Sequence, residues 1–202
     1  IARAPFVAIF AIKLPFPLII IGAALIGYLG GSLAPAKFSL GAGHGPAQQD
    51  FGPALIDDHT PTPAHARFRA SRLALLLLVG AGLWLLPMGV LTAVFGWQGT
   101  LTQMGWFFTK AALLTFGGAY AVLPYVYQGA VEHYAWLSPT QMIDGLALGE
   151  TTPGPLIMVV AFVGFVGGYL QPMFGPEQVF MAGAVAATVV TWFTFLLSFL
   201  FI

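Results

Sequence analysis

The sequence SPTQMIDGLALGETTPGPLIMVVAFVGFVGGYL, residues 138–170, contains a short helical stretch, a break and a second apolar run. Ser138, Pro139 and Gln141 predict the helix start, because serine caps a first turn, proline suits its first position and glutamine reaches back to the cap. The helix extends only to about Glu150, where Thr-Thr-Pro-Gly-Pro (residues 151–155) interrupts it. A helix this short cannot cross a hydrocarbon layer of about 30 Å. The stretch therefore predicts an interrupted helix rather than a continuous one.

The composition indicates that lipid is part of the solvent. Of the 202 residues 58% are hydrophobic and only 7% are charged, against about 25% charged in soluble domains. The mean hydropathy is +0.88. We therefore predict an all-α, polytopic bundle of transmembrane helices with broken or re-entrant members, with the lipid bilayer as its partner.

Several function classes are excluded or disfavoured. The formal net charge is zero, which argues against a nucleic-acid partner. The chain has no cysteine, so disulfides, thiolate metal sites and cysteine nucleophiles are excluded. The histidines lack metal-ligand spacing, and no hydrolase, zinc-protease or phosphate-loop motif is present. We expect no enzyme activity, no cofactor and no metal site.

The chain divides into apolar runs and one polar linker. Residues 32–72 are polar and rich in glycine and proline, with Arg67, Arg69 and Arg72 at the end. Positive residues beside spans mark the cytoplasmic side, so we place the linker there. The chain begins and ends inside apolar runs, and we expect it to be an interior part of a longer protein. The apolar runs are residues 5–29, 73–95, 103–127, 156–170 and 179–202.

A second break lies in the run 103–127, where Phe-Gly-Gly-Ala-Tyr (residues 116–120) is followed by Pro124. Peptide groups freed at such breaks cannot be satisfied by lipid, and in secondary transporters they line the substrate site. A helix that restarts at Pro155 directs free N–H groups and a positive dipole end toward the break, which suits an anion. The alternative is that these glycines and prolines only shape helix packing.

Charged residues within the apolar segments invite two interpretations each. Lys110 either supplies a positive field to an anion or extends to the headgroups. Glu150, and after it Asp144, is a candidate proton carrier; the alternatives are a carboxylate at the aqueous mouth or a static pair with Lys110. We interpret Gly145/Gly149 and Gly164/Gly168 as close helix contacts, and Trp97, Trp106 and Trp136 as interfacial anchors.

At the two breaks the sequence resembles the chromate ion transporter family. The likeness is specific over residues 103–170, and the segments that carry it are TFGGAYAVLP (115–124), Trp136-Leu137, GLALGETTPGP (145–155) and FVGF (162–165). The resemblance implies export of chromate, or of a related sulfate-like oxyanion, across a plasma or bacterial inner membrane. It also implies two homologous halves of opposite topology: residues 1–31 as the last helix of the first half, 32–72 as the linker, and 73–202 as the second half without its C-terminal end.

The sequence thus predicts a secondary carrier, ion- or proton-coupled, with a homodimer as a further assembly to consider. A passive anion channel and a non-transporting membrane scaffold remain alternatives. Glu150 and Asp144 are the candidates for proton coupling. The predicted substrate-binding residues are Lys110, Phe116, Gly117, Gly118, Tyr120, Thr151, Thr152, Pro153, Gly154 and Pro155.

Overall fold

Helices joined by short turns make up the described part of the chain. The structure, a computed structural model, describes residue 14 and residues 16–33, 69–115, 119–151 and 156–200. Within these ranges there is no strand, which confirms the all-helical prediction for them. Most of the predicted linker 32–72 lies outside the described residues. The α-helices are α1 (Phe16–Leu33), α2 (Ala70–Phe95), α3 (Thr100–Leu114), α4 (Ala119–Tyr127), α5 (Pro139–Thr151), α6 (Val159–Leu170) and α7 (Val179–Leu200).

Three shorter helical turns extend these elements. A π-helical segment, Gln128–His133, continues α4, and 3₁₀ turns precede α6 (Leu156–Met158) and α7 (Pro176–Gln178). Among the described residues, two segments are long and apolar enough to cross a membrane: α2 with 26 residues and Pro176–Leu200 with 25. Leu78 and Leu86 of α2 are 72% and 71% exposed. An apolar surface of this kind needs lipid or protein to cover it.

α6 and α7 approach each other closely through small residues. A Cβ atom on Gly168 would lie 2.6 Å from the carbonyl oxygen of Ala182, and one on Gly164 would lie 3.0 Å from that of Ala186. Small residues at such positions let two helix backbones come together. The prediction of close helix contact at Gly164 and Gly168 is therefore confirmed.

α3 and α4 form an antiparallel hairpin. The Phe107 ring stacks on Tyr125 with 4.8 Å between centroids, and a Cβ atom on Gly129 would collide with the same ring. Tyr134 donates from its hydroxyl to Oε1 of Gln103 over 3.1 Å. Burial raises the pKa of Tyr134. The apolar run 103–127 thus folds back on itself.

α5 and α6 form a second antiparallel hairpin. The predicted capping box is confirmed, because the N–H of Gln141 donates to Oγ of Ser138 over 3.2 Å and the N–H of Ser138 donates to Oε1 of Gln141 over 2.8 Å. Farther along α5, the Phe162 ring of α6 fills the space beside Gly145. The predicted helix contact at Gly145 is confirmed by this packing.

An aromatic cluster joins the two hairpins. Trp136 is 3% exposed and stacks on Tyr134, with 4.5 Å between centroids, and on Phe108, with 6.2 Å. Its Cβ atom lies 3.0 Å from the position of a Cβ on Gly167. The interpretation of Trp136 as an interfacial anchor is wrong, because a side chain enclosed in this cluster cannot reach lipid headgroups.

The open ends of both hairpins lie at one end of the bundle. Thr100, at the start of α3, donates from its hydroxyl to Oε1 of Gln171, which directly follows α6. Phe95, at the end of α2, lies beside Phe174 at the same end, with 6.1 Å between centroids. Arg69 and Arg72, at the start of α2, lie at the opposite end. We call the first the open end of the bundle and the second the arginine end.

Candidate functional site

The described residues on either side of the two sequence breaks belong to neighbouring hairpins. α3 ends at Leu114 and α4 begins at Ala119, while α5 ends at Thr151 and helical structure resumes at Leu156. α4 packs against the Leu156–Met158 turn, so the flanks of the two breaks are in contact. The breaks themselves lie outside the described residues; they contain the predicted ligands Phe116, Gly117, Gly118, Thr152, Pro153, Gly154 and Pro155.

Each of the two breaks is followed by a helix start. α4 begins directly after the first break, and the helical stretch that leads into α6 begins directly after the second. The first N–H groups of a helix have no acceptor within it, and they carry the positive end of the helix dipole. A helix start of this kind can hold an anion through its backbone N–H groups.

Thr151 precedes the second break and Tyr120 follows the first. The hydroxyl of Thr151 is hydrogen-bonded within its helix, whereas Tyr120 is exposed. The Thr151 hydroxyl donates to the carbonyl oxygens of Ala147 and Leu148, at 2.9 and 3.3 Å. Its single proton is used within α5, so the predicted role of Thr151 as a donor to the ligand requires another rotamer. Tyr120 is 68% exposed at the start of α4, where its phenol is accessible.

Lys110 lies one turn before the end of α3 and is half-buried. Its Nζ atom lies 5.6 Å from the centroid of the Trp106 ring, a cation–π contact with the preceding turn. It makes no ion pair with Glu150 or Asp144, so the static Lys110–Glu150 pair considered as an alternative is not formed. Among the described residues, the ammonium group contacts the Trp106 ring and no carboxylate.

Asp144 and Glu150 are exposed on α5. In the described part of the chain neither carboxylate accepts a hydrogen bond or forms an ion pair. Since a carboxylate facing hydrocarbon is costly, these two side chains require water or another polypeptide surface beside them.

The region with this geometry is also the region that matches a known family. The family model described as "Chromate transporter" matches residues 102–202, half of the chain. The chain belongs to the chromate transporter family. It is accordingly a membrane protein, and the match runs from the third residue of α3 through the rest of both hairpins and α7.

Curated relatives match over parts of their length. The chain is 40% identical to a chromate transport protein of Pseudomonas aeruginosa over 117 residues, 57% of this chain and 25% of that protein. It is 36% identical to one of Cupriavidus metallidurans over 101 residues, 50% and 22% of the two chains. It is 39% identical to the uncharacterized transporter YwrA of Bacillus subtilis over 62 residues, 30% and 35% of the two. The matches thus span about a quarter of the two chromate transport proteins and a third of YwrA. No solved structure matches the chain.

In this member of the chromate transporter family, the sequence did not predict the contacts of Trp84, which packs against the Trp106 ring that Lys110 contacts. Nε1 of Trp84, in α2, donates to Oγ1 of Thr109 over 3.0 Å, and that hydroxyl donates to the carbonyl oxygen of Gly105 over 2.7 Å. Trp84 also packs edge-on against Trp106, with 6.1 Å between centroids. No local motif connects Trp84 with Thr109, 25 residues away, and only the packing of α2 on α3 reveals it.

Proposed function

We propose that this chain is the substrate-binding part of a multi-pass carrier that exports chromate, or a sulfate-like dianion, across the bacterial inner or plasma membrane. The observation that carries the proposal is the contact between α4 and the Leu156–Met158 turn. That contact joins the helix that follows the first break to the turn that follows the second, within a member of the chromate transporter family. Family membership supports chromate as the ion.

The hairpins are re-entrant in this proposal. α3 has 15 residues, α5 has 13 and α6 has 12, each fewer than the roughly 20 that cross a hydrocarbon core. The hairpins therefore enter from the open end of the bundle, turn within the membrane and return. The arginine end is cytoplasmic by the positive-inside rule. The tips thus face the cytoplasm, from which an exporter must load its anion.

Binding would rely on dipoles and one cation. The N–H groups at the starts of α4 and α6 replace part of the hydration shell of a tetrahedral dianion, and glycines at positions 117, 118 and 154 allow the backbone to approach it. Lys110 supplies a full positive charge near the end of α3. The aromatic cluster around Trp136 separates the tips from the open end and excludes water from that side.

Proton coupling would rely on Glu150. It immediately precedes the second break, and it makes no hydrogen bond or ion pair among the described residues. A carboxylate beside a dianion site gains a proton as the anion enters and loses it as the anion leaves, because like charges disfavour the ionised form. Asp144, two turns earlier, is the second candidate for this role.

Substitution of Gly154 tests the function. Gly154→Leu should abolish chromate uptake by inverted vesicles that contain the protein, while the amount of inserted protein stays unchanged. Gly82→Leu on α2, where a Cβ atom meets nothing within 4 Å, is the matched control and should retain uptake. Unchanged uptake in the Gly154 variant would refute the site. Flux that persists without a pH gradient or membrane potential would favour a passive channel, and no flux in the parent protein would favour a scaffold.

A further inference from the structure

The Lys110 side chain points back along α3, away from the end of that helix at Leu114. Its Nζ atom lies over the ring of Trp106, one turn earlier, at 5.6 Å from the centroid. Long side chains on a helix lean toward its N-terminus, so contacts four residues apart form readily. Leu114, which precedes the first break, lies about 6 Å from Lys110 along the helix axis in the opposite direction. The ammonium group is therefore on the side of Lys110 that faces the open end of the bundle.

Two further tryptophans fix the position of the Trp106 ring. Trp84 of α2 packs edge-on against it, with 6.1 Å between centroids, and Trp97 packs against it with 5.9 Å between centroids. The indole of Trp84 is itself fixed, because its N–H donates to the hydroxyl of Thr109 over 3.0 Å. The ring that receives the ammonium group is therefore positioned by contacts that do not involve Lys110.

The Trp106 ring and a bound dianion would attract the same ammonium group. A charge at membrane depth is costly when nothing compensates it, and the negative face of an indole attracts a cation most strongly where water is excluded. A dianion attracts the ammonium more strongly still, because it carries full charges. In the proposed site the dianion lies beyond Leu114, whereas Trp106 lies toward the open end. Lys110 can therefore contact only one of the two at a time.

We propose that Trp106 is a positioning residue that competes with the transported dianion for the Lys110 ammonium group. The inference rests on the function proposed above, in which Lys110 attracts the anion. When the dianion binds, the lysine leaves the ring and turns toward Leu114; when the dianion leaves, the ammonium returns to the ring. The apparent affinity for the anion is reduced in proportion to the fraction of molecules in which the lysine is free of the ring. Because weaker binding is mostly faster dissociation, Trp106 promotes release of the anion.

Fluorinated tryptophan at position 106 tests the competition, because fluorine withdraws negative charge from the face of the ring and leaves its shape nearly unchanged. The chain has five tryptophans, so nonsense suppression is used to place mono-, di- or trifluorotryptophan at this position alone. Equilibrium dialysis with radiolabelled chromate gives the Kd of the purified protein in detergent micelles. We expect binding to tighten with each added fluorine, by roughly fivefold to thirtyfold for the trifluoro ring. The maximal rate of chromate uptake by inverted vesicles should fall, because release becomes slower.

Two controls distinguish this role from a structural one. The first places the same analogues at Trp192, whose indole donates to the carbonyl oxygen of Leu83 and contacts no cation among the described residues. Fluorination there should leave the Kd for chromate unchanged. The second repeats the series at Trp106 in the Lys110→Gln background. Fluorination should have no effect on the Kd of that variant, because no ammonium group remains for the ring to bind.

Each other outcome overturns the proposal in a distinct way. An unchanged Kd with fluorinated Trp106 means that the ring does not compete with the anion. Weaker binding means that the ring still holds the lysine while the anion is bound. Equal tightening in the Lys110→Gln background means that the ring acts without the lysine. If the unmodified protein binds neither chromate nor sulfate, the proposed function fails, and this inference fails with it.

Discussion

The indole N–H of Trp192 in α7 donates to the carbonyl oxygen of Leu83 in α2 over 3.2 Å. Leu83 precedes Pro87 by four residues, and proline has no N–H to offer that carbonyl. Lipid cannot replace the missing donor. Trp192 therefore satisfies the acceptor that Pro87 leaves open, and it joins the two helices that are long and apolar enough to cross a membrane.

Trp192→Phe should lower the free energy of unfolding by about 1–3 kcal/mol, because it leaves the Leu83 carbonyl without a donor. Unfolding in mixed micelles measures the loss. The matched background is Pro87→Ala, in which residue 87 regains its N–H and the helix satisfies Leu83 by itself. There Trp192→Phe should cost much less, and an equal cost in both backgrounds would contradict the assigned role.

Gly168→Ala should separate α6 from α7. The added Cβ atom would meet the carbonyl oxygen of Ala182 at 2.6 Å, and a backbone atom cannot yield as a side chain can. We expect a loss of roughly 1–3 kcal/mol, the usual range for overpacking. Gly82→Ala, on the open side of α2, should instead raise stability by up to about 1 kcal/mol through helix propensity. Unfolding in mixed micelles compares the stability of the Gly168→Ala and Gly82→Ala variants. Equal changes in the free energy of unfolding would rule out the close contact between α6 and α7.

The sequence predicted local features better than the course of the chain. The Ser138–Gln141 capping box and the contact at Gly164 and Gly168 follow from neighbouring residues, and both are present. The prediction of broken or re-entrant helices did not specify that residues 103–127 fold back, because glycines and a proline indicate where a helix stops but not which direction the next one takes. That direction depends on Phe107 stacking on Tyr125 and on Tyr134 reaching Gln103, contacts between residues 18 and 31 positions apart.

The candidate site was predicted only in part for the same reason. Glycine and proline patterns identified both breaks, and the contact between α4 and the Leu156–Met158 turn brings their flanks together. The burial of Trp136 was missed, because a tryptophan near a segment end is equally compatible with an interface and with a core. Trp84 packs against the Trp106 ring that Lys110 contacts. It belongs to a different helix and to no sequence motif, so the sequence did not indicate this contact.

Lys110→Gln should reduce chromate uptake by inverted vesicles at least about tenfold, equivalent to 1.4 kcal/mol of lost interaction with the dianion. Lys110→Arg retains the charge and the cation–π contact with Trp106, and it should keep most of the activity. Protein amounts are matched by immunoblot. Equal activity in the Gln and Arg variants would mean that the charge of residue 110 does not act on the anion.

Glu150→Gln should remove the response of chromate transport to an imposed pH gradient, because the amide cannot take up or release a proton. Flux without a gradient should persist, since the backbone groups that hold the anion are unaffected. Asp144→Asn is the control and should retain the gradient response. If Asp144→Asn loses it and Glu150→Gln does not, the coupling role belongs to Asp144.

Single cysteines at Gln98, Glu132 and Ser71 should distinguish re-entrant hairpins from ordinary spans. All three positions are exposed in the described chain, and the chain has no cysteine of its own. Gln98 precedes α3 and Glu132 follows α4, so a hairpin places them on one side of the membrane, whereas a span that continued through residues 103–127 would place them on opposite sides. A membrane-impermeant maleimide should label positions 98 and 132 from the outside of intact cells, and position 71, at the arginine end, only in inverted vesicles. Labelling of positions 98 and 132 from opposite sides would contradict the hairpin and, with it, the cytoplasm-facing anion site.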